Sequence, residues 1–153
     1  MINLAENTEA LKHNFFLRRF FKKRGYFNLD RMTPAQYRKV LVERSCERVW
    51  FTKDELFSVA SDGREQLTKD AEMRIDDAMG VLIPYLPNNP IVVEGYSTQG
   101  LPSERFRRAK QRASVVQTYI RKRFGLPSNV VGTIPMSAAG KSGWNGVSLV
   151  LIR

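Results

Sequence analysis

The chain has 153 residues, 42% hydrophobic and 26% charged, which is enough for one domain with its own core and argues against wholesale disorder. Lys and Arg outnumber Asp and Glu by 25 to 15, a formal net charge of +10. No apolar run approaches the roughly 18–20 residues of a membrane-spanning helix, and the single cysteine, Cys46, excludes an internal disulfide.

Residues 1–31 carry a helical pattern from Ala5 to Lys23, with Leu11, Phe15, Phe16, Leu17, Phe20 and Phe21 spread around much of the cylinder. Such a helix needs partners on several sides, from this domain or from another chain, so docking or oligomer assembly through this segment is expected. Six basic residues (Lys12, Arg18, Arg19, Lys22, Lys23 and Arg24) lie between Glu9 and Asp30 without an acid. The N-terminus lacks the basic, apolar and small-residue regions of a secretory signal.

Thr33-Pro34-Ala35-Gln36 reads as a capped helix start, and the helix is expected to reach about Arg44 with Tyr37, Val40 and Leu41 inward. Val49 to Thr52 reads as a strand, and Leu56-Phe57 extends it or leads out of it. Ser61-Asp62-Gly63 is a turn. A second helix starts near Leu67, with Ala71, Ile75, Ala78, Met79 and Leu82 on one face. Pro84, Pro87 and Pro90 close it down.

Ile91-Val92-Val93 is a β-branched run bounded by Pro90 and Gly95, a short buried strand. A loop from Tyr96 to Ser103 follows. Phe106, Ala109, Ala113, Val116 and Ile120 then recur at helical spacing, predicting a long helix that ends at Gly125-Leu126-Pro127. Val130 to Ile134 is the next strand. Strand, helix and strand in this order make a βαβ unit with parallel strands. Ala138 to Gly146 reads as a loop, and Val147 to Ile152 as a final strand. The predicted order is β-α-β-α-β-β, an α+β arrangement of helices on a mixed sheet, with an N-terminal helical extension at 1–46 and the main domain at 47–153.

Two stretches resemble known families. Glu94-Gly95-Tyr96-Ser97-Thr98-Gln99-Gly100, followed by Arg112-Ala113, Val116, Tyr119 and Ile120 in register, resembles the strand, loop and helix signature of OmpA-like domains, the C-terminal domain type of outer membrane protein A. Leu67-Thr68 at the start of the second helix fits the same pattern. That family binds peptidoglycan, gripping the diaminopimelate of the stem peptide with a loop aspartate and a helix arginine. The resemblance places Arg112 at the arginine position, but Thr98 stands where the aspartate is. It implies a peptidoglycan-like site of Arg112, Thr98, Tyr96 and Ser97 with altered or lost contacts. A neutral hydroxyl in place of a carboxylate forfeits charge-assisted bonds and weakens such binding on the order of tenfold to a hundredfold. A guanidinium alone still suits a carboxylate. Two readings of Arg112 stay open: ligand arginine, or an arginine solvating the helix edge.

The wording from Ala10 to Tyr26 is similar to the region after the lipid-binding module in some MCE (mammalian cell entry) proteins, which take part in lipid transport across bacterial envelopes. The resemblances together imply a non-catalytic module of the periplasm or cell envelope, part of a longer exported protein. Its implied partners are cell-wall polymer, other envelope-transport subunits or an anionic membrane surface.

No catalytic constellation emerges, and neither a metal nor a cofactor is expected. His13 has no serine or cysteine tied to it by spacing, and no CxxC or HExxH occurs. Cys46 reads as a small packed residue, and Asp76-Asp77 diverge on a helix. Ala139-Gly140-Lys141-Ser142 lacks the first glycine of a phosphate loop, since Pro135 stands there. Arg105, Arg107, Arg108, Lys110, Arg112, Arg121, Lys122 and Arg123 form a basic helix face without an intervening acid. It reads as a solvated face, as the contact of an envelope module, or alternatively as a nucleic-acid-binding surface.

Overall fold

The computed structural model describes residues 32–86, 89–127, 130–136 and 144–153. The expectations for the N-terminal phenylalanines, His13 and the Ala139 to Ser142 loop lie outside the described residues.

The first helix, α1 (Pro34–Glu43), starts as its wording predicts. Gln36 N–H donates to Thr33 Oγ1 at 3.2 Å and Thr33 N–H donates to Gln36 Oε1 at 2.9 Å, a reciprocal cap with proline in the first turn. Strand β1 (Cys46–Thr52) follows. The chain then makes one helical turn, α2 (Lys53–Leu56), capped by Thr52 and Glu55. It continues into a hairpin of β2 (Phe57–Val59) and β3 (Glu65–Leu67), joined through the Ser61-Asp62-Gly63 turn. The predicted element order lacks this hairpin, because strands of three residues are too short to print an alternation in the sequence.

Helix α3 (Lys69–Leu82) is capped by Thr68 and buries Ala71, Ile75, Met79 and Leu82. A short 3-10 turn, Ile83–Tyr85, leads towards β4 (Ile91–Tyr96), all six residues of which are buried. The strand thus runs three residues past the β-branched run. The connecting loop is shorter than predicted, since Pro102 already forms the first residue of α4 (Pro102–Phe124). Gly125 ends α4 in the left-handed conformation at φ 65°, donating its N–H to the Arg121 carbonyl. Strands β5 (Val131–Pro135) and β6 (Gly146–Ile152) complete the sheet.

The sheet order is β1-β6-β4-β5, with β4 and β5 parallel and the other neighbours antiparallel. The parallel pair confirms the predicted crossover. Alternation along the strands separates two apolar clusters. Ile91, Val93, Leu149 and Leu151 face α3 and α4, meeting Ile75, Met79, Val116 and Ile120. Val92, Val150, Ile152 and Ile134 face the other way and meet Met32, Tyr37 and Val40 of the α1 region. Close approach of α4 to β4 depends on Gly95, where a Cβ would collide with the Ala109 carbonyl oxygen. The small side chains of Ala109 and Ala113, both fully buried, belong to the same contact.

One residue of the predicted inward stripe does not go inside. Phe106 is 43% exposed, while Ala109, Ala113, Val116 and Ile120 are buried. Ala109 sits over Gly95, next to last in β4. Phe106, a turn earlier in α4, lies before the part of the helix that Gly95 brings against the sheet.

Candidate functional site

The C-terminal end of β4 collects most of the residues that the sequence singles out. Arg112 lies mid-way along α4 and is 2% exposed, so it is not a helix-edge residue solvating its side of the domain. Its guanidinium is held on three sides. Nε donates to Glu65 Oε1 at 2.8 Å and Nη2 to Glu65 Oε2 at 3.0 Å, a two-pronged ion pair with β3. Nη1 donates to the Tyr96 carbonyl at 2.7 Å and to Asn145 Oδ1 at 2.6 Å. Four of the five guanidinium N–H groups are therefore engaged by the protein itself.

The remaining predicted residues sit around this clasp. Tyr96 supplies the carbonyl that Arg112 holds, and Ser97 and Thr98 follow it directly in the chain. Ser97 is buried, and its Oγ has no hydrogen-bond partner among the described residues. Thr98 is exposed. Arg108 reaches the same loop through a long bond from Nη1 to the Gln99 carbonyl at 3.4 Å. Arg105 is half-buried, with its Nε unpartnered among the described residues. The basic run on α4 is thus not uniformly solvated. Arg112 is sealed inside by Glu65, and Arg123 Nε meets Asp76 Oδ2 at 3.4 Å. Asp76 also accepts the Tyr119 hydroxyl at 2.7 Å, and burial followed by this bond pushes the phenol up to about 12.

A second polar centre lies on the opposite face of β4. Glu94 is fully buried and accepts four bonds. Tyr37 Oη donates at 2.6 Å from α1 and Tyr96 Oη at 2.8 Å. Arg48 donates from Nε and Nη2, both at 3.1 Å. The carboxylate is in this way neutralised and fully hydrogen-bonded. Burial, and then the nearby Glu94 charge, push the Tyr37 and Tyr96 hydroxyls well above the ordinary tyrosine value. The bond to Glu94 likewise raises Arg48, against its partial desolvation. Next to this centre Trp50, 43% exposed, packs against Tyr96 and edge-on to Trp144, with ring centroids 5.7 and 5.0 Å apart.

Sequence reasoning missed Glu65, Asn145, Tyr37 and Arg48 as members of these centres. Glu94 carried a signal: an acid inside a strand buried on both faces must have a cation or several donors beside it. Glu65 carried none, since it lies in a strand of three residues. Cys46 packs against the α1 cluster, and its sulfur accepts a bond from Arg48 Nη1 at 3.3 Å.

No family model matches the sequence, and no curated protein matches it. Solved structures do match in shape. The periplasmic domain of Helicobacter pylori MotB superposes with a TM-score of 0.52 at 14% identity, over 71% of this chain and 73% of that one. The cell wall anchor of the T6SS from Pseudomonas aeruginosa superposes with a TM-score of 0.51 at 15% identity, over 74% and 94%. The fold is OmpA-like. Within this OmpA-like fold, β4, the Ser97 to Leu101 loop and α4 form the segment where the family resemblance was read. The arginine of that segment points into the protein, with a protein carboxylate across its fork.

Proposed function

We propose that this chain is a non-catalytic module of the bacterial cell envelope that associates with cell-wall polymer through the rim at the end of β4, with diaminopimelate-type contacts altered. The observation that supports this most is the position of Arg112, bonded to the Tyr96 carbonyl immediately before the Ser97 to Leu101 loop. Shape neighbours described as a cell wall anchor and a periplasmic domain support the same setting. Because Glu65 already fills the arginine fork, Arg112 shapes the rim and is not the main grip on ligand. Thr98, exposed and neutral, adds no charge to that rim.

The test is co-sedimentation of the full chain with purified sacculi, beside filter binding to DNA at two salt concentrations. Retention by sacculi with little DNA held at low salt is the expected result. Strong DNA retention that falls steeply with salt, with no sedimentation on sacculi, transfers the function to nucleic acid. A finer reading makes the chain the C-terminal part of an MCE-type lipid-transport protein, assembling with other envelope subunits through residues 1–46. It rests on the wording from Ala10 to Tyr26, outside the described residues. Sequencing the reading frame upstream of Met1 tests it, since a membrane anchor and a lipid-binding module must be encoded there.

A further inference from the structure

We infer that the N-terminal tip of α4 is a docking surface for an anionic lipid bilayer. This goes beyond the cell-wall reading and does not rest on it. Phe106, Arg107 and Lys110 lie three, four and seven residues after Ser103, so all four share one side of the helix, and all are exposed. Leu101, the residue before the helix, is 66% exposed, and Phe106 is 43% exposed. From Leu101 to Lys110 there are four cations, Arg105, Arg107, Arg108 and Lys110, against one carboxylate. That carboxylate, Glu104, is turned back to its own helix start, where Oε2 accepts the Leu101 N–H at 3.3 Å. Arg107 and Lys110 make no ion pair among the described residues.

The combination selects the occupant. Unpaired cations alone suit any polyanion. Exposed Phe106 on the same side, and exposed Leu101 at the helix start, gain nothing from phosphates in water, but gain burial at the boundary between lipid headgroups and acyl chains. Cations flanking an apolar tip then sit at the depth of anionic headgroups, where each strengthens partitioning about fivefold. The tip also lies at the same end of the sheet as the Tyr96 to Leu101 loop, so a bilayer contact there would orient the rim towards the membrane surface.

The experiment is flotation of the full chain with phosphatidylcholine vesicles, with and without phosphatidylglycerol, at low and high salt. The wild type is expected to float with the anionic vesicles only and to release as salt rises. Arg107→Gln with Lys110→Gln should lower the partition constant about thirtyfold. Phe106→Ser should lower it on the order of tenfold. Thermal melts and sacculus sedimentation of both variants check that the fold and the cell-wall contact survive. Flotation with neutral vesicles as well as anionic ones, or none at low salt, overturns the inference. So does wild-type flotation of both tip variants, which would place the contact elsewhere, such as on the basic N-terminal segment. Loss by the arginine and lysine variant with none by the apolar variant also overturns it, in favour of a soluble polyanion.

Discussion

The two faces of β4 each bury a charge, and they do so in opposite ways. On the α4 side a cation, Arg112, is enclosed, and its counter-charge Glu65 remains 18% exposed on a small hairpin. On the α1 side an anion, Glu94, is enclosed completely, and four donors converge on it. Tyr96 serves both, giving its carbonyl to Arg112 and its hydroxyl to Glu94. The difference teaches where each charge gets its compensation. Glu94 draws its donors from α1, β1 and β4, so its centre pins those three elements together. Each charge has one ionic partner that water reaches, Arg48 at 26% exposure and Glu65 at 18%, so the centres differ in their neutral partners: two buried tyrosine hydroxyls around Glu94, a carbonyl and an amide oxygen around Arg112.

The largest test of this contrast is Glu94→Ala. It strips the acceptor from Arg48 and two buried hydroxyls, and is expected to cost about 3–5 kcal/mol of unfolding free energy. Urea denaturation reads it. Next comes Arg112→Met, expected to cost about 2–3 kcal/mol, because Glu65 can turn to water while the Tyr96 carbonyl loses its donor. A loss as large as that of Glu94→Ala would erase the distinction between the two centres.

An alkaline titration sharpens it further. Tyr37 and Tyr96 hold their protons above the ordinary tyrosine value, largely through burial. In the unfolded chain both ionise near pH 10. Their contribution is therefore complete below about pH 10 and is lost as pH rises above it, by about 1.4 kcal/mol per tyrosine per pH unit. Tyr119, pushed up to about 12, adds to the same fall until it ionises in the folded state. Melting temperatures from pH 9 to 11 should decline in the wild type and decline less in Tyr37→Phe. An equal decline in the two proteins would show that the Glu94 centre does not hold the Tyr37 proton.

The smallest expected effect is on binding: Glu65→Gln strips the buried Arg112 of its counter-charge, at about 3 kcal/mol of stability, although the amide oxygen still accepts one bond. Sacculus retention should stay unchanged. A tenfold rise would mean that removing the resident carboxylate frees Arg112 for a ligand, and the clasp would then be a gate.

The elements were legible from neighbours along the chain. Thr33 and Gln36 announce α1 through a cap three residues long, and Gly125 with Pro127 announces the end of α4. Ile91-Val92-Val93 and the periodic alanines and valines of α4 fix a parallel crossover, because a helix of that length can return the chain only to a strand of the same direction. The surroundings of Arg112 were legible in half. Arg112 and the Tyr96 to Leu101 loop follow from that crossover, whereas the reading of Arg112 as solvating a helix edge fails, because spacing alone does not say which acid arrives.

The sequence by itself therefore determined the three longer helices, the cap that starts α1, the glycine that ends α4, the buried central strand and the α+β class, all of which depend on residues within a few positions of one another. Tertiary structure alone decided what the charges do. Glu65 reaches Arg112 across 47 positions, and Tyr37 reaches Glu94 across 57. These meetings depend on a sheet ordered β1-β6-β4-β5 and on a three-residue hairpin strand. Local patterns carry no record of either, since a buried charge is satisfied by whatever partner the packing brings within hydrogen-bonding distance.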